Sequence, residues 1–206
     1  SFSNGLESAV AQGIVTGGPS LREFVLSAAH QGATCDGIAV LAAHRGAAAG
    51  DFSAILAADH AVIERKLNEE ARTMSTRMGK KLAELGGRLA GETLFNKWLA
   101  AIASGETPGT YPVGLGIAFA EMGSPEEDAF TVNQYGVAMT LLGAALRIVR
   151  VDHLTTQEIL FEVNQSAGRE YAAVRDYGLD DMSNFAPMID ILAAVHVKAH
   201  VRMFMN

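Results

Sequence analysis

The sequence has a single cysteine, Cys35, and no apolar run of the roughly 18 residues that a membrane-spanning helix requires. One cysteine cannot form an internal disulfide, and such sparse use is typical of a reducing compartment. No signal peptide is present either, so we expect a cytoplasmic protein that does not cross a membrane. Because the chain begins at Ser1 rather than at methionine, we also expect a segment upstream of residue 1 to be missing.

Positive charge is also in short supply: 16 Lys and Arg residues stand against 23 Asp and Glu residues, which gives a net charge of −7. Without a cluster of Lys or Arg, such a chain is a poor candidate for binding nucleic acid or anionic lipid. Hydrophobic residues make up 49% of the chain and charged residues 19%, a balance that excludes disorder and supplies a real core. The 206 residues fit one domain.

Nucleotide-binding and catalytic motifs are absent as well. Gly114-Leu115-Gly116 lacks the third glycine of a dinucleotide fingerprint, and Gly79-Lys80-Lys81 lacks the rest of a phosphate loop. The chain contains no Glu-x-x-His pair for a dimetal carboxylate site. Catalysis by a Ser-His-Asp or Cys-His set stays open, although no nucleophile motif is present. These absences favour an interaction protein over an enzyme.

Helical spacing of apolar residues runs through most of the chain, and only residues 111–117 are a weak strand candidate. The pattern predicts an all-α, single-domain bundle of eight to ten helices over residues 1–206. Glycines within the apolar residues 113–122 indicate close helix packing. The predicted helix starts and caps are Asn4 with Glu7, Ser20 with Glu23, Asp36, Asp51, Asn68, Ser124 with Pro125, and Thr155 with Glu158.

The last stretch, residues 189–206, is apolar over most of a helical circumference. It contains no glycine, and Pro187 stands where a first helical turn accepts it. Only Asp190, Lys198 and Arg202 form a narrow polar strip, so such a helix must be covered on most sides. Chain ends are normally exposed. Either the domain wraps its own C-terminus, as for a plain core helix, or another protein covers it; the closing Met-Phe-Met favours the second reading.

His196 and His200 lie one turn apart and are weak candidates for a metal site. No nearby Cys, Asp or Glu completes a ligand set, since Asp190 lies off that face, so a satisfied or interface pair is favoured. The alternative function is a helical metal-binding protein or enzyme that uses both histidines. Two further pairs stay open: Arg147 with Arg150 fits a solvated helix end or a partner contact, whereas Met74 with Met78 fits ordinary core.

Six segments occur in the order of one family's motifs. They are Ser1-Phe2-Ser3-Asn4-Gly5-Leu6-Glu7, Asp36-Gly37-Ile38 with Ala43-His44, Ser75-Thr76-Arg77-Met78-Gly79-Lys80, Tyr111-Pro112-Val113, the turn from Arg147 to Gln157, and the closing set Asp190, His196, Arg202 and Phe204. Together they resemble the urease accessory protein F family, UreF, over the whole chain. The chain departs from the family pattern at Val197 and His200, which replace Glu and Tyr, and at residues 150–153, which replace Pro-Leu-Gly-Gln.

The resemblance implies an all-α, non-enzymatic chaperone for nickel delivery to urease. Family members form homodimers and bridge UreD, also called UreH, and the GTPase UreG, and so reach the urease apoprotein through the complex. It implies no cofactor, because nickel is handled by the complex, and docking of UreD by the N-terminal segment and the apolar tail. The implied partner-binding positions are Ser1, Ser3, Gly5, Glu7, Arg147, Gln157, Asp190, His196, His200, Arg202, Phe204 and Met205.

Overall fold

The structure, a computed structural model, describes residues 2–89, 91, 93–184, 186–195 and 203–204 and the backbone of His196. These residues form helices and no strand, which confirms the predicted all-α class. The helices are α1 (Leu6–Ala11), α2 (Gly18–Gly32), α3 (Ile38–Ala49), α4 (Phe52–Arg65), α5 (Glu69–Leu89), α6 (Leu94–Ser104), α7 (Tyr111–Glu121), α8 (Glu126–Ile148), α9 (His153–Val174) and α10 (Pro187–His196).

The long helix α8 lies at the centre and packs against α1, α2, α3, α7 and α9. Helix α3 packs closely along α7, as the glycines of that segment predicted. A Cβ added at Gly116 would lie 2.5 Å from the carbonyl oxygen of Val40, so only glycine lets the two backbones approach. No helix in the described part of the chain is both long and apolar enough to cross a membrane.

Helices α2 and α3 are joined by a π-helical turn, Ala33–Gly37, and the predicted helix start at Asp36 is therefore wrong. Gly37 permits the turn to lie against α8, because a Cβ there would stand 2.5 Å from a ring carbon of Phe130. A π turn widens the helix and re-aims its side chains, and such turns are frequent at functional sites. Cys35 and Asp36 lie within this turn.

Two predicted capping residues occupy the third position of their helix instead of the cap. Gly17 precedes α2, and the hydroxyl of Ser20 accepts a hydrogen bond from the Thr16 backbone N–H at 3.0 Å. Asp152 caps α9, and its side chain accepts from the Thr155 N–H at 2.8 Å. In both helices the true cap lies three residues before the Ser or Thr of the Ser/Thr-x-x-Glu pattern. The predicted Asp51 cap of α4 is confirmed.

The weak strand candidate is not realised, and one predicted helix cap is wrong. Residues 111–117 begin helix α7 and not a strand, with Pro112 in its first turn. Helix α1 is preceded by Gly5 at φ 81° rather than by an Asn4 cap, and the Glu7 side chain reaches the C-terminal end of the chain. The described chain thus keeps the predicted helices but begins several of them elsewhere.

One carboxylate lies entirely inside the protein. Asp59 of α4 is fully buried and accepts five hydrogen bonds from α6 and from the loop that leads into α7. The donors are Trp98 Nε1 at 3.0 Å, Thr107 Oγ1 at 2.7 Å, Gly109 N at 2.9 Å, Thr110 N at 2.7 Å and Thr110 Oγ1 at 2.6 Å. Asp59 therefore fixes the course of residues 105–110.

Candidate functional site

The two ends of the described chain meet at one corner, formed by α1, α10 and residues 203–204, which we call the terminal corner. Ile189 and Leu192 of α10 are buried in the main hydrophobic core with Leu6 of α1. Gly5 allows the approach, since a Cβ there would lie 3.0 Å from the Ile189 carbonyl oxygen. Sequence positions almost 200 apart therefore build one surface.

Glu7 holds the far end of the chain in this corner. Its carboxylate accepts hydrogen bonds from the backbone N–H groups of Met203 at 2.7 Å and Phe204 at 3.2 Å. The Phe204 ring is 2% exposed, and the Arg147 guanidinium lies 5.8 Å from its centroid, within cation–π range. Three predicted partner residues, Glu7, Arg147 and Phe204, are thus brought together, with Phe204 packed inside its own chain.

Asp190 anchors α10 through partly buried polar contacts. Its carboxylate accepts hydrogen bonds from the side-chain amides of Asn68 at 2.9 Å and Asn184 at 3.0 Å. The Asn184 amide oxygen in turn accepts one from Gln31. Burial raises the pKa of the Asp190 carboxyl above its ordinary value, against the lowering effect of these donors. Asp190 ties α10 to the start of α5 and to α2.

The opposite side of the terminal corner is apolar and open. Met188, Ile191 and Val195 of α10 are 55%, 55% and 46% exposed, and Met203 is 61% exposed. We call these four residues the terminal apolar face. The sequence posed self-coverage and partner coverage as alternatives, but the structure covers one side of the helix with α1 and leaves the other side bare. Exposed methionines adapt readily to different contact surfaces.

The remaining predicted site residues are dispersed or lie outside the described residues. Ser3 is fully buried and Gln157 is exposed on α9. The described residues contain no group of three or more His, Cys, Asp or Glu side chains that could hold a metal ion. Outside the described residues lie Ser1, His200, Arg202, Met205 and the side chain of His196.

A second candidate site, which the sequence did not indicate, is a cavity of about 220 Å³ between α2, α5, α8 and α10. Its wall carries an ion pair in which Lys66 Nζ lies 2.6 Å from Asp36 Oδ1. Burial alone would lower the pKa of Lys66, but the Asp36 carboxylate outweighs it and the pKa is raised. Burial also raises the pKa of the Cys35 thiol to about 12, so this thiol stays neutral.

Met74 and Met78 line the same cavity, although the sequence pattern assigned them to ordinary core. Met78 is partly exposed to solvent, so the prediction for it is wrong. At Met74 and Met78, helix α5 borders the cavity and does not pack against another helix. Only the three-dimensional arrangement brings the polar groups of four helices to this point.

A charged cluster away from both sites fastens α3, α8 and α9 together. Arg45 donates to both oxygens of Glu126 at 2.6 and 2.7 Å, and the Tyr171 hydroxyl donates to Glu126 at 3.0 Å. Burial alone would raise the pKa of Glu126, but the Arg45 and Tyr171 hydrogen bonds lower it below its ordinary value. Such a group stabilises the fold above its unfolded-state pKa and loses that effect as pH falls through the folded-state pKa.

We therefore expect Glu126→Gln to lower the free energy of unfolding by about 1–2 kcal/mol at pH 7. Its penalty should begin to shrink as pH falls below about 4.3, the ordinary pKa of a glutamate, and vanish as pH falls through the lower folded-state pKa of Glu126. Urea denaturation of both proteins at several pH values measures this. A penalty that stays constant from neutral to acidic pH would contradict the lowered pKa of Glu126.

The comparisons with known proteins agree with one another. A family model described as UreF matches residues 15–164 of the chain. The chain is 55% identical over its full 206 residues to urease accessory protein UreF 2 of Brucella canis, of which it covers 85%. It is 55% identical to UreF 1 of Brucella melitensis biotype 1, of which it covers 86%, and 50% identical to UreF of Yersinia enterocolitica, of which it covers 90%.

Proposed function

The chain belongs to the UreF family of urease accessory proteins, and on that premise we propose that it is a scaffold in urease maturation that bridges UreD (UreH) and the GTPase UreG. In this proposal the bridge couples GTP hydrolysis by UreG to nickel insertion into the urease apoprotein. The chain itself performs no turnover, works in the cytoplasm and carries nickel only as cargo of the complex, with no cofactor of its own.

The terminal apolar face is the observation that carries this proposal. A helix with one side in the core and Met188, Ile191 and Val195 open on the other offers a contiguous apolar contact. Contact surfaces are enriched in methionine and depleted of charge at their centres. We assign this face to UreD, because the family resemblance gives UreD the apolar tail.

Homodimerisation is part of the same proposal, and α8 supplies a suitable surface. Val132, Tyr135, Met139 and Leu146 are exposed at spacings of three, four and seven residues, so they form one stripe along the helix. On this side a Cβ added at Gly143 would meet nothing within 4 Å. A stripe of this kind is self-complementary across a two-fold axis, where α8 of one copy packs against α8 of the other.

The scaffold role is tested by co-expression with UreD and UreG followed by size-exclusion chromatography. We expect Ile191→Asp to weaken UreD binding about thirtyfold or more, because a charge in a contact centre costs at least about 2 kcal/mol. The melting temperature should stay unchanged, since Ile191 is exposed in the free chain. Met122→Asp is the matched control, because Met122 is 66% exposed at the C-terminus of α7, away from the terminal corner.

Two outcomes would contradict this proposal. One is the absence of any complex between the wild-type chain and UreD or UreG. The other is tight, stoichiometric nickel in the isolated chain that is lost in His200→Ala, which would favour the metal-binding alternative. Equal loss of UreD binding in Ile191→Asp and Met122→Asp would show that UreD does not bind specifically at the terminal apolar face.

A further inference from the structure

The cavity between α2, α5, α8 and α10 has room for more than solvent. Its volume of about 220 Å³ is many times the roughly 10–15 Å³ that a single buried water needs. Apolar side chains form part of its wall, among them Met74, Val137 and Ile189. The space therefore suits a small molecule with a short apolar portion and a polar portion.

Polar groups that line this cavity have no partner within the described chain. Asn133 is 3% exposed and its Nδ2 group makes no hydrogen bond, and Ser75 is 4% exposed with an unpaired Oγ. The Oε1 atom of Gln31 is likewise buried without a hydrogen bond. Buried polar groups are nearly always paired, so each unpaired group favours a bound molecule that completes it. The three groups come from α2, α5 and α8.

The charged groups that line the cavity limit which class of molecule can bind there. Lys66 is paired with Asp36, while Asp190 is held by neutral amides, so the wall carries one cation against two carboxyl groups. No uncompensated positive group is available for an anion. The described residues also lack a set of three metal-binding side chains. The unpaired Asn133 Nδ2 group is a donor and so opposes a cation, which leaves a neutral ligand.

The unpaired atoms then specify the polar portion of the ligand. Asn133 Nδ2 and the Ser75 hydroxyl are donors that need an acceptor, and Gln31 Oε1 is an acceptor that needs a donor. A carbonyl oxygen next to an N–H group offers both in one small unit. We propose that this cavity is a binding site for small neutral amides, the chemical class that includes acetamide and urea.

This inference is independent of the scaffold role and of the terminal apolar face. It is tested on the full chain with acetamide as the probe, by saturation-transfer difference NMR up to about 50 mM. A ligand of so few atoms is expected to bind with a dissociation constant of about 1 mM. Non-denaturing urea should compete for the same site. Acetate has the shape of acetamide but carries a negative charge, so it should give no transfer.

Substitutions of the unpaired polar residues test whether acetamide binds in this cavity. We expect Asn133→Leu combined with Ser75→Ala to weaken acetamide binding at least tenfold. The matched control, Asn164→Leu on the exposed side of α9, should bind like the wild type. Removing unpaired polar groups in favour of apolar ones leaves folding intact or improved, which a melting curve verifies.

The proposal is overturned by an absence of saturation transfer at about 50 mM, by equal transfer to acetate, or by acetamide binding that the double variant leaves unchanged.

Discussion

Replacing Asp59 with alanine is expected to lower the free energy of unfolding by about 4 kcal/mol or more. The carboxylate is fully buried and accepts from Trp98, Thr107, Gly109 and Thr110, so its removal leaves five buried donors without an acceptor. Each unpaired buried donor costs about 1–3 kcal/mol, reduced where the loop relaxes and admits water. Since domains of this size are stable by only about 5–15 kcal/mol, the variant should lie near its unfolding threshold.

Chemical denaturation of Asp59→Ala and of two controls measures this effect. Asp51→Ala removes an exposed helix cap on the same helix and should cost only about 1 kcal/mol. Asp59→Asn keeps one acceptor oxygen but turns an NH2 group toward the donors, so its cost should fall between the other two. A loss in Asp59→Ala no larger than that in Asp51→Ala would show that the loop is held by other contacts.

Sequence reasoning found the helices because their apolar spacing is a local property. It identified the long helix α5, the Asp51 cap and the close packing around Gly116. It could not find the role of Asp59, whose partners lie 39 to 51 positions further along the chain. The Tyr and Val of residues 111–117 have strand propensity, but the contacts of α7 with α3 and α5 override it.

The same limit applies to the candidate sites. The apolar pattern of the tail predicted that most of its surface must be covered, and the structure shows one buried and one exposed side of α10. No local pattern, however, joins Glu7 to Met203 and Phe204, because that contact spans 196 and 197 positions. The cavity between α2, α5, α8 and α10 was missed for a related reason: Gln31, Ser75 and Asn133 lie on three different helices, and only the folded chain brings them together.

Gly79 has a structural role that its sequence motif alone does not reveal. The Ser-x-x-x-Gly segment of α5 contributed to the resemblance, but its glycine proves to be a contact point for the loop that Asp59 holds. A Cβ at Gly79 would lie 2.5 Å from the Thr110 carbonyl carbon and 2.7 Å from the Tyr111 nitrogen. These are backbone atoms, so no change of rotamer relieves the overlap and the loop itself must move.

We therefore expect Gly79→Ala to lower the free energy of unfolding by about 3 kcal/mol, at the upper end of overpacking costs. Gly168→Ala is the matched control: it is also inside a helix, and its Cβ would meet only a Glu127 oxygen at 3.9 Å. There alanine should stabilise by about 0.5–1 kcal/mol through its higher helix propensity. Opposite signs for the two substitutions in urea denaturation support the close contact, and equal signs contradict it.

The two substitutions with the largest effects should also depend on each other. Asp59 holds residues 109–110 from one side while Gly79 leaves room for them on the other, so both act on the same few backbone atoms. Once Asp59→Ala releases the loop, the added methyl of Gly79→Ala can displace it at little further cost. We expect the double variant to be more stable than additivity predicts by at least about 1 kcal/mol, as measured by a double-mutant cycle. Strict additivity would mean that the loop adjusts to each change separately.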